Sequence, residues 1–234
     1  MNEKVKMILL QNQALFHPVV QFDPSKDKLI KLNLTEENTA LTEDIFNDIV
    51  RFTSFINDEL NTAHARYGIG GYNELRKLYS RSDVFDGDIS GTPRRLHLGT
   101  DIWGKPYTAV MAPLDAIVHS LAFNNREGDY GATIILTHQL EGVSFYSLYG
   151  HLSLSSIKNI QPGDSIYKGD IFAEFGIPIE NGHWPPHLHF QLILDLGEWK
   201  GDYPGVCSYD EKEQWLLNSP DPDIILQLNK YISS

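Results

Sequence analysis

The sequence predicts an α+β protein: an antiparallel β module preceded by a partly helical N-terminal extension, on three observations. From about residue 93 to 195 the chain breaks into strand-sized runs of branched and aromatic residues separated by turn residues. Upstream, the stretch from Asp44 to Leu60 carries apolar residues at helical rather than alternating spacing. Finally, 41% hydrophobic and 21% charged residues, with eleven Tyr, eleven Phe and four Trp among 234, give enough apolar surface for a sizeable core.

The elements follow in chain order. Residues 1–92 form the extension, in which Ile45, Ile49, Phe52, Phe55, Ile56 and Leu60 line one face of a single expected helix. Thr42, Glu43 and Asp44 suit its start, where carboxylates meet the positive end of the helix dipole. Tyr67-Gly68-Ile69-Gly70-Gly71-Tyr72 reads as a glycine-rich turn, and without a basic residue or a strand-to-helix setting it is no phosphate loop. Residues 93–195 then supply strands around Val110–Pro113, Ala116–Val118, Thr133–Thr137, Ser144–Tyr149 and Ile171–Phe175. Gln161-Pro162-Gly163-Asp164 and Lys168-Gly169-Asp170 are turns between them. Such a module has one core face and one solvated or site-bearing face. Residues 196–234 form a tail with Trp199 and Trp215, a Ser219–Asp223 turn, and a short helix-like run from Ile224 to Leu228 that packs back on the module.

Charge narrows the function. Nineteen Lys and Arg against thirty-one Asp and Glu leave −12, a field that repels phosphate backbones, so nucleic acid is excluded as a partner. No stretch approaches the roughly 18–20 apolar residues needed to cross a bilayer, so no membrane insertion is expected. Met7-Ile8-Leu9-Leu10 ends at Gln11-Asn12-Gln13, too early for a secretion signal, which gives a cytoplasmic expectation. The lone Cys207 reads as a buried bystander.

Five residues carry the chemistry. His97 and Asp101 stand four apart in His97-Leu98-Gly99-Thr100-Asp101, and His187 and His189 stand two apart in His187-Leu188-His189-Phe190. In a strand, residues two apart share a face, so both imidazoles point together while Leu188, Phe190, Leu192 and Leu194 anchor the other side. Pro185 and Pro186 restrict the entry to that strand. His151, in Tyr149-Gly150-His151-Leu152-Ser153, adds an imidazole where another strand ends. Each motif alone is common by chance; order, spacing and strand context together raise the set above that. A hydrolytic zinc site takes three imidazole or carboxylate ligands and leaves a fourth position open, which two His and one Asp satisfy. There is no His-Glu-x-x-His helix, so leftover histidines must move protons. His17, His64, His119 and His183 read as ordinary, and His138 as an outer hydrogen-bonding residue rather than a ligand. Ser153, Ser155 and Cys207 lie outside any nucleophile signature.

These blocks resemble the lysostaphin-type (LytM-like) zinc metallopeptidases, peptidase family M23. The resemblance runs through His97–Asp101, Val110–Val118, Tyr130–His138, Tyr149–Ser153, Gln161–Asp170 and Pro186–Phe190, in the family's order. It implies the duplicated-hybrid-motif type of antiparallel sheet or sandwich, with the site in a groove. It also implies one zinc ion per chain on His97, Asp101 and His189, and catalysis by His151 and His187. The implied substrate is a peptide, peptidoglycan-derived in most of the family. Departures at Tyr107–Val110, Asp115-Ala116 and Asn181–Pro186, with the bulky Trp184, bear on which peptide enters the groove. Two other arrangements stay open: a binding or regulatory module that keeps the fold without catalysis, and a latent enzyme whose N-terminal lobe covers the groove, through residues 68–71 or the loop 82–88.

Overall fold

The computed structural model describes residues 2–86 and 92–232. Its strands are β1 (Leu29–Leu32), β2 (Tyr67–Gly70), β3 (Leu96–His97), β4 (Thr100–Trp103), β5 (Ala109–Met111) and β6 (Ala116–Asn124). They continue with β7 (Gly131–Leu140), β8 (Val143–Leu152), β9 (Ser165–Ile166), β10 (Ile171–Glu174), β11 (His187–Ile193) and β12 (Val206–Cys207). Eight of them make one sheet in the order β1-β2-β4-β11-β8-β7-β6-β9. Apart from the parallel β1/β2 pair, its neighbours run antiparallel. All the strand runs expected between residues 110 and 194 are present, with Gly163 and Gly169 at positive φ in the two turns between them.

Two expectations in the extension need correction. The glycine-rich run Tyr67–Gly70 is β2, paired with both β1 and β4. Its glycines answer to crowding, since a Cβ at Gly68 would overlap Leu32 and one at Gly70 would stand 2.9 Å from the Arg76 guanidinium. The single helix from Asp44 is two. With α1 at Asn2–Gln11, they are α2 (Glu43–Phe46) and α3 (Ile49–Thr62). The break comes at Asp48, whose carboxylate accepts the Val50 and Arg51 amides at 2.9 and 3.1 Å as the cap of α3. Thr42 makes no such side-chain bond.

The core explains the placement of the site. Leu188, Phe190 and Leu192 of β11 point into a cluster with Ile102, Val118, Ile134, Leu136 and Tyr149. The short helix Asp223–Leu226 adds Ile224, Ile225 and Leu226 to that cluster, and α1 adds Val5 and Leu9. The opposite face carries Asp101 and Trp103 on β4 beside His187 and His189 on β11. That face is covered: Phe52 of α3 meets the Trp103 and Trp184 rings at 5.9 and 6.5 Å. Among the described residues, no helix is long and apolar enough to cross a membrane.

Candidate metal centre and active site

Strand register assembles the cluster. β4 and β11 pair so that His189 lies opposite Asp101 and His187 opposite Trp103, and β8 places Gly150 on the other side of His189. His97 on β3 is fixed by backbone bonds with Asn73 and Glu74, its carbonyl accepting the Asn73 amide and its amide donating to the Glu74 carbonyl, both at 2.9 Å. Gly99 is glycine because any Cβ there would press on the His189 ring.

The ligand-type atoms of His97, Asp101 and His189 lie within 4.8 Å of one another, all buried. His97 Nε2 and His189 Nδ1 are 2.9 Å apart, and each is 3.2 Å from Asp101 Oδ1. Outer hydrogen bonds decide where the ring protons sit. His97 Nδ1 donates to the Gly71 carbonyl at 2.9 Å. His189 Nε2 donates to Gln191 Oε1 at 2.9 Å, and the Gln191 amide, donating to Pro204 O and Ser219 Oγ, is locked in that orientation. Both protons therefore face outward. Two imidazole lone pairs and a carboxylate oxygen converge with nothing positive between them, an arrangement that repels itself unless a cation sits among them. The donor set, two nitrogens and one oxygen, suits zinc.

His151 and His187 adjoin the cluster, ring centroids 4.1 Å apart. His187 lies flat on Trp103 at 3.9 Å, and its Nε2 is 4.0 Å from Asp101 Oδ1. Each ring commits its Nδ1 proton to a carbonyl, His151 to Asn181 at 2.7 Å and His187 to Pro185 at 2.8 Å, so both Nε2 atoms carry free lone pairs. His151 holds φ +62°, a strained value for a residue with a side chain. Asn181 is itself fixed by three bonds to the Gly176 and Trp184 backbones.

Burial pushes the His97 and His187 imidazoles down to about 4, and drives His151, beside His187, well below its usual value. These rings are neutral at physiological pH, the form that binds metal or accepts a proton. Burial alone would raise Asp101, but the Arg76 guanidinium beside it holds its carboxyl well below the usual range.

The sequence reading missed the residues around the five. Arg76, fully buried, donates to Asp101 Oδ2 at 2.6 Å and to Glu74 at 2.7 Å. Gln191 alone had a legible signal, since it continues the two-residue alternation of His187 and His189. His138 lies elsewhere: it donates to the Asp115 carbonyl and bonds Ser147, so it is not an outer partner of the cluster. Ser153 is taken up by Ser155, Ser156 and Glu174, and burial lifts the Cys207 thiol to about 12, leaving no activated nucleophile there.

Access is narrow. A 20 Å³ cavity bounded by Arg76, Tyr79, Trp103 and Trp184 reaches Asp101 and three histidines. A larger groove of about 490 Å³ runs past His151 and His189, lined by Tyr130, Trp184, Trp199 and Asp202. The segment Lys77–Phe85 borders both, through Tyr79 in each and through Asp83, Val84 and Phe85 in the larger. Tyr79 packs on His97 and Trp184 at 6.3 Å, Arg81 stacks on Trp184 at 4.6 Å, and Ser82 donates to the Glu127 carbonyl at 2.5 Å.

Comparison with known proteins matches residues 95–199 to the model of peptidase family M23. An L-Ala--D-Glu endopeptidase of Bacillus subtilis (strain 168) is 28% identical over 148 residues, 59% of this chain and 43% of its own length. The chain thus spans less than half of that curated relative. Among solved structures, the catalytic domain of lysostaphin from Staphylococcus simulans is 21% identical, with a TM-score of 0.40 over 70% of this chain and 96% of that one. A zinc-containing peptidase from Vibrio cholerae is 23% identical, with a TM-score of 0.34 over 44% and 28%.

Proposed function

We propose that this chain, which through residues 95–199 belongs to peptidase family M23, is a zinc-dependent endopeptidase acting on peptides of the peptidoglycan type. The observation that carries the reading is the convergence of His97 Nε2, His189 Nδ1 and Asp101 Oδ1 with their protons turned outward. Those three residues would hold one ion. Zinc, when bound, supplies Lewis acidity that eases deprotonation of water and polarises a carbonyl. The chain does the rest. His151 and His187, neutral and with Nε2 free, can each accept a proton there; only the ring that has taken up that proton can then donate from Nε2 to the developing oxyanion, before returning the proton to the leaving amine. The Trp103 stack and the two carbonyls fix both rings before substrate arrives. The similarity to an L-Ala--D-Glu endopeptidase supports a peptidoglycan stem peptide as substrate.

The test is hydrolysis of L-Ala–D-Glu peptides and whole peptidoglycan by the purified chain. Cleavage that a chelator abolishes and zinc restores, and that falls about 10²–10⁴-fold in His151→Ala and His187→Ala, is the expected result. A zinc-loaded chain that cleaves no peptide overturns it.

The latent form has a specific observation in its favour. All five side chains are at most 6% exposed, and Tyr79 of the Lys77–Phe85 segment packs on His97 and bounds the cavity that reaches Asp101, His151, His187 and His189. Of the two covering elements expected, Gly71 touches His97 through its carbonyl, and Ser82 bridges to Glu127. Residues 87–88 of the expected loop lie outside the described residues. If the segment must swing aside, nicking within it by limited proteolysis raises activity; unchanged activity after nicking argues for direct access by the groove.

A further inference from the structure

Resting on the reading of His97, Asp101 and His189 as metal ligands, a second question is what keeps each ligand to a single atom. Asp101 has two equivalent oxygens, and a carboxylate left free can close both on one ion. Here Oδ2 is occupied. Arg76 Nη1 donates to it at 2.6 Å, while the same guanidinium donates to Glu74 Oε2 at 2.7 Å, to the Tyr79 hydroxyl at 3.1 Å and to the Gly71 carbonyl at 3.3 Å. The Gly71 carbonyl is also the acceptor of His97 Nδ1 at 2.9 Å. One planar, five-donor group thus touches the outer oxygen of one ligand and the outer partner of another. Its place is set by backbone bonds rather than chance: Arg76 N donates to Arg95 O, His97 N to Glu74 O, and Leu75 bridges Leu96. The Arg76 side chain is 1% exposed and paired with two carboxylates, Glu74 and Asp101.

We propose that Arg76 is a positioning residue of the metal centre: by engaging Asp101 Oδ2 and the Gly71 carbonyl together, it leaves Asp101 Oδ1 and His97 Nε2 as the atoms offered to the ion. Residues 71–76, far upstream of the His-x-His strand, are then part of the centre, distinct from the covering Lys77–Phe85 segment. A lysine in its place keeps the charge but brings one nitrogen where the guanidinium brings a fork.

The experiment measures zinc affinity by competition with a chromophoric chelator for the parent, Arg76→Lys, Arg76→Met, and Arg76→Met with Glu74→Gln. The double variant avoids stranding Glu74 as an unpaired buried charge. About 10–100-fold weaker zinc binding in the Met variants, with Arg76→Lys between them and the parent, is expected. A folded variant with parental affinity overturns the proposal, even if its thermal stability falls. A second arm needs no variant: the zinc-loaded minus metal-free infrared difference spectrum of the parent reports the ligand carboxylate. A monodentate splitting of its stretching bands is expected, and a bidentate one overturns the role of Arg76. If the parent itself takes up no zinc, the metal reading fails, and with it the proposal; parental affinity in folded variants sinks the Arg76 role alone.

Discussion

The metal-free protein should lose stability as pH falls from about 6.5 toward 4, and His138 allows one share of that loss to be isolated. His138, on β7 between Ala116 of β6 and Phe145 of β8, is 1% exposed and away from the proposed ligands. Its Nδ1 donates to the Asp115 carbonyl at 3.1 Å, and its Nε2 is 2.7 Å from the Ser147 hydroxyl, which lies 3.1 Å from that of Tyr149. Burial lowers it to about 4, whereas in the unfolded chain it titrates near 6.5. Below pH 6.5 the unfolded state binds a proton that the folded state refuses, so stability is complete above 6.5, falls through this window, and levels off near 4. At about 1.4 kcal/mol per pH unit, this one group costs about 2 kcal/mol by pH 5. His97, His187 and His151, whose pKa values burial also lowers, push stability in the same direction as pH falls. Urea unfolding in a chelator at pH 7.5, 6 and 5 measures it, with His138→Asn beside the parent. The variant starts less stable but falls less steeply, by about one proton's worth. A parent whose stability is flat from pH 7.5 to 5, or a variant with the parental slope, would refute the reasoning.

Other consequences are as concrete. Phe52→Ala removes a fully buried ring that joins α3 to Trp103 and Trp184, and should cost about 3–5 kcal/mol in urea unfolding. Gly182→Ala puts a Cβ into the Asp129 carbonyl at φ +81°, beside the Asn181 carbonyl that holds His151; we expect about 2 kcal/mol or more of lost stability and a fall in kcat exceeding any change in KM. Zinc at a hundredfold excess over its Kd should stabilise by about 2.7 kcal/mol, raising Tm by about 5–10 °C over the chelated protein in calorimetry.

The site was legible where chemistry follows strand periodicity. His187 and His189 share a face because they are two apart in a strand, and the structure adds Asp101 opposite His189 through β4. The surroundings were not legible because nothing local encodes them. Arg76 reaches Asp101 across 25 residues of sequence, through a backbone bridge that no periodicity announces. The Tyr67–Gly70 strand read as a turn because its glycines signal a flexible bend in sequence but close packing against Leu32 in the fold. The break at Asp48 was hidden for a related reason: the apolar spacing from Ile45 to Leu60 continues across it, while the cap that starts α3 depends on the backbone geometry of Asp48. His138 drew attention by its type, yet its partners, the Asp115 carbonyl and the buried Ser147 hydroxyl, lie apart from the cluster.

The most direct test of the central claim is the zinc content of the purified chain beside His189→Ala, after dialysis against metal-free buffer without a strong chelator. The convergence of His97, Asp101 and His189 predicts close to one zinc per chain in the parent and little in the variant, with both folded by circular dichroism. A parent that neither retains zinc nor takes it up on addition would contradict the account and leave a peptidase-like fold without a metal centre.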